Sequence, residues 1–330
     1  MQRKFGRRSF IRSLGNFACS FSLASTSVTW SQKRTKRIGF LIGDAPTLIS
    51  AFEGELQRLG YENGKNIIIE KRVSRSNTSD LSDHSAELAK LDLDLVLAAS
   101  LPQALAMRRA NPDMPMVIAT CPGMISNGFA KSLARPGGIY TGMDELPPGV
   151  TSMRLRLLKM AAPGIKNVAL LSTTPGVGGH EAQLADAQKG AVPLKLFVKP
   201  YRATNLKELE SALAGIADDR MNGMLSFQGG LSLANRDMIV AFAEKHRLPT
   251  VYQSLFFIEA GGLMAWAPDQ EKQYRSAAKY VAKILKGANP GDLPVHFPDR
   301  YFLSVKKGAA DRIGLKLPRA LLAKADRIID

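Results

Sequence analysis

From Arg37 onward two spacings of apolar residues take turns along the chain. Short runs rich in aliphatic and β-branched residues, RIGFLIG (37–43), NIIIEKRV (66–73), LVLAAS (95–100) and MVIAT (116–120), have the length and composition of buried strands. After the first of them Leu48, Phe52, Leu56 and Leu59 recur at helical spacing and stop at Gly60; the stretches 79–91 and 102–110 follow the second and third runs in the same way. Strands alternating with helices imply a parallel sheet covered on both faces.

The rhythm breaks at KSLARPGGIYTGM (131–143) and then starts again. Helices are expected at 149–161, in 180–190, at 205–217 and at 233–246, separated by the extended runs NVALLST (167–173), KLFVKPY (195–201), GMLSFQ (223–228) and TVYQ (250–253). This is a second open α/β unit, and Gly137-Gly138 reads as the turn into the connection between the two. EAGGLMAWAP (259–268) again sets a glycine pair before an extended run. A long helix follows, with Tyr274, Ala277, Val281 and Leu285 on one face, and ends at Gly287. DRYFLSV (299–305) is a third such run, and a last helix is expected near 319–328. Three crossings between two α/β lobes make a hinge. The expected division is 36–143 plus 265–298 for the first lobe and 144–264 plus 299–330 for the second.

Residues 1–31 read as an export signal with its spacer. GRRSFIR (6–12) resembles the twin-arginine signal, with Arg7 and Arg8 paired, Phe10 and Ile11 behind them, and a weakly apolar stretch from Leu14 to Val28. This places the mature protein in the periplasm. The signal also changes the meaning of the net charge of +16, because nine of those charges fall in residues 1–37, which contain no acidic residue. The remaining excess of seven is a mildly basic surface with no aromatic-basic stripe, so no nucleic-acid partner is expected. The only cysteines are Cys19, inside the signal, and Cys121, so the mature chain has no internal disulfide. Cys19 could instead carry a lipid, although Asn16 and Phe17 suit that motif poorly.

Signatures of catalysis are scarce. His84, His180, His246 and His296 share no metal-ligand spacing, and GYENGKN (60–66) lacks the spacing of a P-loop. TTPGVGGHEAQ (173–183) follows a strand and opens a helix. Gly176 and Gly178 fit the first two glycines of a dinucleotide turn, but Glu181 occupies the third position and would repel a pyrophosphate. The expected reading is a cleft-lining loop in a protein that is not an enzyme and needs neither cofactor nor metal. The alternatives are a nucleotide-dependent enzyme using 176–179 and the sensing module of a receptor.

Open α/β sheets bind ligands at the carboxyl ends of their strands, which makes the loops there the candidate site. In the first lobe these give Asp44, Thr47, Ser100, Gln103 and Thr120; in the second Thr173, Thr174, Gln228 and Tyr252, with Trp266 and Asp269 at the second crossing. The helix starts at Pro46 and Pro102 suit a carboxylate, and Asp44 or Asp269 could pair with an ammonium. Tyr140, Phe227, Tyr252 and Trp266 could flank an apolar or aromatic part.

SLARPGG followed by Thr141-Gly142, EAGGLM followed by Pro268, LGYENGKNIIIE, and ADRIID at the end together resemble the ABC-transporter substrate-binding proteins of the group that includes tryptophan- and phenylalanine-binding members. The resemblance runs from about Arg37 to the end. It implies a type I periplasmic-binding-protein fold, a small-molecule ligand in the interlobe cleft and a membrane permease as partner, with the receptor acting as a monomer. The chain departs from the family at Ile139-Tyr140, at Cys121-Pro122-Gly123 and at Lys306-Lys307, so the ligand cannot be copied from relatives.

Overall fold

The computed structural model describes residues 34–74, 78–173 and 178–330. The first lobe is built from β1 (Lys36–Gly43), α1 (Pro46–Arg58), β2 (Ile67–Ser74), α2 (Thr78–Ala89), β3 (Leu95–Ala98), α3 (Leu101–Ala110), β4 (Met116–Cys121) and β5 (Tyr140–Asp144). Its five strands are all parallel, in the order β2-β1-β3-β4-β5. Side chains alternate across this sheet as the pleat requires. Ile38, Phe40 and Ile42 meet the apolar stripe of α1, whereas Leu41 turns to the opposite face with Leu88, Leu101 and Met107.

The second lobe takes α4 (Val150–Ala161), β6 (Asn167–Ser172), α5 (Gly178–Ala191), β7 (Phe197–Arg202), α6 (Leu206–Asp218), β8 (Gly223–Ser226), α7 (Gly230–Ala234), α8 (Arg236–Lys245), β9 (Thr250–Tyr252), α9 (Phe256–Glu259) and β10 (Met264–Pro268). The chain then returns to the first lobe as α10 (Gln270–Leu285), whose Tyr274, Ala277, Ala278 and Val281 pack with Phe40 and Phe52. It crosses a third time into β11 (Tyr301–Lys306), α11 (Lys307–Arg312), α12 (Arg319–Leu322) and β12 (Arg327–Ile329). The second sheet has seven strands, β12-β11-β10-β9-β8-β6-β7, parallel except where β11 runs against β10. Two α/β lobes joined by three crossings are thus the architecture that the alternating pattern implies.

Three details differ from the sequence expectation. The run after Gly261-Gly262 is itself a strand of the second sheet, so the chain leaves that lobe after Pro268 rather than before Ala265. Met264 and Trp266 complete the apolar face toward α4 and α5, which holds β10 there. The helix expected at 233–246 is two helices sharing Asn235. The helix expected near 319–328 lasts only from Arg319 to Leu322. Beyond it Asp326 anchors the chain to the open edge of β11, donating from its N–H to Leu303 O at 2.8 Å and accepting from Leu303 N at 2.8 Å. The pull of an unpaired strand edge outweighs the helical spacing.

The punctuation at Arg135-Pro136-Gly137-Gly138 serves the third crossing. Gly137 N donates to Gly291 O at 3.0 Å, and a Cβ on Gly291 would lie 2.5 Å from Gly138 O. Two glycine turns therefore pack backbone against backbone, a distance no side chain permits. Past this contact the crossing runs beside β5. Thr141 Oγ1 donates to Leu293 O at 2.8 Å, His296 N to Gly142 O at 3.0 Å and Asp144 N to His296 O at 2.8 Å.

Candidate functional site

The loops at the strand carboxyl ends of the two lobes face one seam, but they contribute to it unequally. In the first lobe Asp44 and Thr47 are exposed after β1, and the Ser100 hydroxyl bonds the Gln103 side chain at the start of α3. Thr120 is committed elsewhere, since its hydroxyl donates to Ala99 O at 3.0 Å in the core. After β4 the turn Pro122-Gly123-Met124 is pinned by Asp144, whose carboxylate accepts from Gly123 N, Met124 N and Leu146 N at 3.0, 2.8 and 2.9 Å. Burial raises the Asp144 pKa and these three backbone donors lower it, with burial the larger effect.

In the second lobe Thr173 is buried with no partner for its hydroxyl among the described residues, and Thr174 lies outside them, as does Gly176 of the glycine-rich loop. Gln228 N donates to Gln253 Oε1 at 3.2 Å, and Gln253 Nε2 reaches Gln183 Oε1, linking the ends of β8 and β9 to α5. His180 stands edge-on to Phe227, ring centroids 5.9 Å apart, with neither nitrogen hydrogen-bonded; burial holds its pKa below the ordinary value.

Several aromatic candidates belong to the cores instead. Tyr252 is buried and stacks on Phe257 at 4.6 Å, because the alternation along β9 turns it to the face opposite Gln253. Phe227 is equally enclosed under α5. Tyr140 packs edge-on to Phe129 and donates to Pro112 O at 2.7 Å. Asp269 is the N-cap of α10, accepting from Lys272 N at 3.0 Å. Trp266 keeps a half-buried ring at the crossings, stacked on the half-buried Tyr301 at 4.6 Å.

Around Trp266 lies a polar cluster that joins the crossings. Arg154, on α4, is almost fully buried; its Nε donates to Trp266 O at 3.2 Å and its guanidinium lies 5.9 Å from the Trp266 ring. Among the described residues Arg154 Nη1 has no hydrogen-bond partner. Gln273, on α10, is also buried, with its side-chain amide beside the Glu145 carboxylate, whose charged form it favours. Glu145, in the first crossing, keeps part of its surface open yet is densely surrounded. Burial pushes its carboxyl up to about 7, opposed in part by the attraction of Arg154. Tyr301 closes the ring, its hydroxyl donating to Glu145 O at 2.7 Å.

Glu145, Arg154 and Gln273 were not among the residues singled out from the sequence, yet two of them leave a trace there. Arg154 and Gln273 occupy apolar-periodic positions of their helices, beside Leu155 and Leu158 and beside Tyr274 and Ala277. A charge or amide on the buried face of a helix is a legible anomaly.

The lobes meet directly where Gly179, in the first turn of α5, lies against the turn after β4. A Cβ at Gly179 would stand 2.0 Å from Pro122 O and 2.8 Å from Pro122 C. The seam is therefore closed in this structure. A separate groove of about 770 Å³ opens between the first crossing, α4 and α5, lined by Pro147, Thr151, Arg156, Gln183, Asp186 and Lys189 among others. It holds no strand-end residue of the first lobe, so a molecule in it could not favour closure by touching both lobes. Among the described residues no helix is long and apolar enough to cross a membrane, and no group of three or more His, Cys, Asp or Glu could hold a metal.

The family model for ABC transporter substrate binding proteins matches residues 42–329. A curated relative, the tyrosine-binding protein of Clostridioides difficile, is 22% identical over 267 residues, covering 80% of this chain and 76% of its own. Two solved structures share the fold over 89% of this chain and 100% of theirs. One is a complex with L-Trp from Streptococcus pneumoniae (TM-score 0.80, 22% identity), the other a conserved domain protein from Vibrio cholerae (TM-score 0.81, 21% identity). With two α/β lobes, a three-stranded hinge and a match that spans both, the chain belongs to the ABC transporter substrate-binding protein family.

Proposed function

We propose that this chain is an exported, non-enzymatic receptor that binds a small zwitterion or carboxylate with an apolar or aromatic part and presents it, as a monomer, to an ABC-transporter permease, with no nucleic-acid partner. The observation that carries this reading is the meeting of the two lobes' strand-end loops at Gly179 and Pro122, with Arg154 Nη1 buried beside the Trp266 ring without a partner among the described residues. A ligand touching both lobes favours the closed form through contacts that the open form lacks. The relatives named for tyrosine and crystallised with L-Trp support an amino acid as the solute.

A thermal-shift panel of amino acids, aromatic carboxylates, sugars and purines tests the ligand class. A cognate ligand at saturating concentration is expected to raise the melting temperature by several degrees. If only sugars or purines move the transition, the class is wrong.

Export is proposed to use Arg7 and Arg8, which lie outside the described residues. Replacing both by Lys should leave the protein in the cytoplasm with its signal uncleaved. Normal periplasmic recovery of that double variant would exclude the twin-arginine route.

A further inference from the structure

Among the described residues only three other than glycine hold a left-handed backbone, and all three are cations: Lys195 (φ 54°), Arg220 (φ 51°) and Arg247 (φ 51°). They close the turns after α5, α6 and α8 with the paired bonds of a Schellman end; Arg247 N donates to Glu244 O at 3.0 Å and Leu248 N to Ala243 O at 2.8 Å. The same turn closes α1, α10 and α11 on Gly60, Gly287 and Gly314. Glycine takes this conformation freely, and a residue with a Cβ does not. The helix dipole does not account for the choice, because Lys189 and Lys245 already stand in the last turns of α5 and α8.

The three turns feed β7, β8 and β9, so they lie at one end of the second sheet, opposite the strand carboxyl ends that face the seam. The turn into β6, which carries Lys166, fills the gap between them. Phe197 N donates to Lys166 O at 2.8 Å, Lys166 N to Asn222 Oδ1 at 3.1 Å and Met224 N to Pro249 O at 3.0 Å, joining the four turns into one face. On it Lys166, Lys195, Arg220, Lys245 and Arg247 are exposed. Of the carboxylates in these turns Asp219 is held by Lys199 and Glu244 by Arg312, which leaves Asp218 against five cations. Val192 and Phe197, 76% and 57% exposed, flank Lys195. A small anion would meet one or two of these cations and leave Val192 and Phe197 in water. A broad negative surface with an apolar layer beneath it meets all of them. We propose that this end of the second lobe is a docking surface for an anionic phospholipid membrane, with the five cations over the headgroups and Val192 and Phe197 at the boundary with the acyl chains. Because the seam lies at the other end of the strands, the surface serves whichever solute the receptor takes.

The test is co-sedimentation with vesicles of phosphatidylcholine alone and of phosphatidylcholine and phosphatidylglycerol in equal amounts. It is run on the full chain and on Thr35–Asp330, which carries every core residue described and lacks the cations of residues 1–34. Both forms should bind the mixed vesicles, less so as salt is raised, and Thr35–Asp330 should leave the neutral ones in solution. In Thr35–Asp330 the triple variant Lys195→Gly, Arg220→Gly, Arg247→Gly should lose about 100-fold in affinity, at roughly fivefold per cation. Its melting curve should not fall below that of wild type, since glycine suits all three turns. Lys166→Gln with Lys245→Gln, at ordinary backbone positions, should lose about 25-fold and keeps the test open if the triple variant does not fold. Val192→Ser with Phe197→Ser should lose about tenfold. Arg109→Gln, Lys131→Gln and Lys286→Gln together, on the first lobe, should stay within about threefold of wild type. An equal loss in that first-lobe variant, or equal binding to neutral vesicles, would overturn the proposal. Binding to polyglutamate but to neither vesicle would overturn it in favour of an acidic protein partner, and none of these outcomes touches the solute-receptor reading.

Discussion

A Gly179→Ala protein should fold at least as well as the parent and bind its ligand about 100-fold more weakly, a loss of about 3 kcal/mol. The two halves of that expectation have separate causes. Gly179 lies in the first turn of α5, where alanine is a better helix former than glycine by about 1 kcal/mol, so the second lobe does not suffer. The new methyl group would meet Pro122 O at 2.0 Å across the seam. A main-chain oxygen cannot swing aside as a long side chain would, and Pro122 belongs to a turn that Asp144 already holds by two backbone hydrogen bonds, from Gly123 N and Met124 N. The lobes must then part, and a ligand loses affinity in proportion to how much the closed form is disfavoured. Calorimetry with the ligand identified by the thermal-shift panel measures the loss, and small-angle scattering at saturation measures the closure. Wild-type affinity together with wild-type compaction in Gly179→Ala would show that closure at this contact is not what the ligand drives.

The second large effect is a pH dependence of stability centred on Glu145. Burial raises its carboxyl from an ordinary 4.5 to about 7, with Arg154 opposing and Asp144 reinforcing the shift. Between these values the folded protein keeps a proton that the unfolded chain has released. The contribution is therefore fully present below about 4.5, is lost as the pH rises to about 7, and stays lost above. At 1.36 kcal/mol per unit this amounts to at most about 3 kcal/mol. Glu145→Gln removes the titration without removing the side chain's bulk. Its melting temperature should match wild type near pH 4 and exceed it by several degrees near pH 8. Parallel melting-temperature curves across that range would mean that the Glu145 carboxyl ionises as freely in the folded protein as in the unfolded chain.

How much of this was legible beforehand varies from element to element. The core elements of both lobes follow from apolar spacing, because burial on both faces of a parallel strand, or on one stripe of a helix, selects residues locally. RIGFLIG and the stripe Leu48, Phe52 and Leu56 are found where that logic puts them. The glycine pair at 137–138 marked the first crossing, although its contact with Gly291 depends on a residue about 150 positions away, whereas the pair at 261–262 opens a strand that stays in the second sheet. The C-terminal helix was misjudged for the same kind of reason. The spacing in 319–328 suits a helix, but the open edge of β11 claims Arg327–Ile329 as a strand.

The site divides along similar lines. Ser100, Gln103, Thr173 and Gln228 were singled out by their position after strands and Trp266 by its place at a crossing, and those positions in the sequence are all that marked them. Tyr252 has the right place in sequence but the wrong side of its strand, and a one-residue alternation decides which side faces Gln183. Arg154 and Gln273 read as anomalies within their own helices, yet only the return of α10 to the first lobe sets one near Glu145 and the other across from it. The sequence by itself determined the α/β lobes, the hinge and the kinship, because each rests on short-range spacing and on motifs a few residues long. The tertiary structure alone decided which polar groups are buried without partners and which glycine touches the opposite lobe, because both depend on the approach of chain segments that no local pattern encodes.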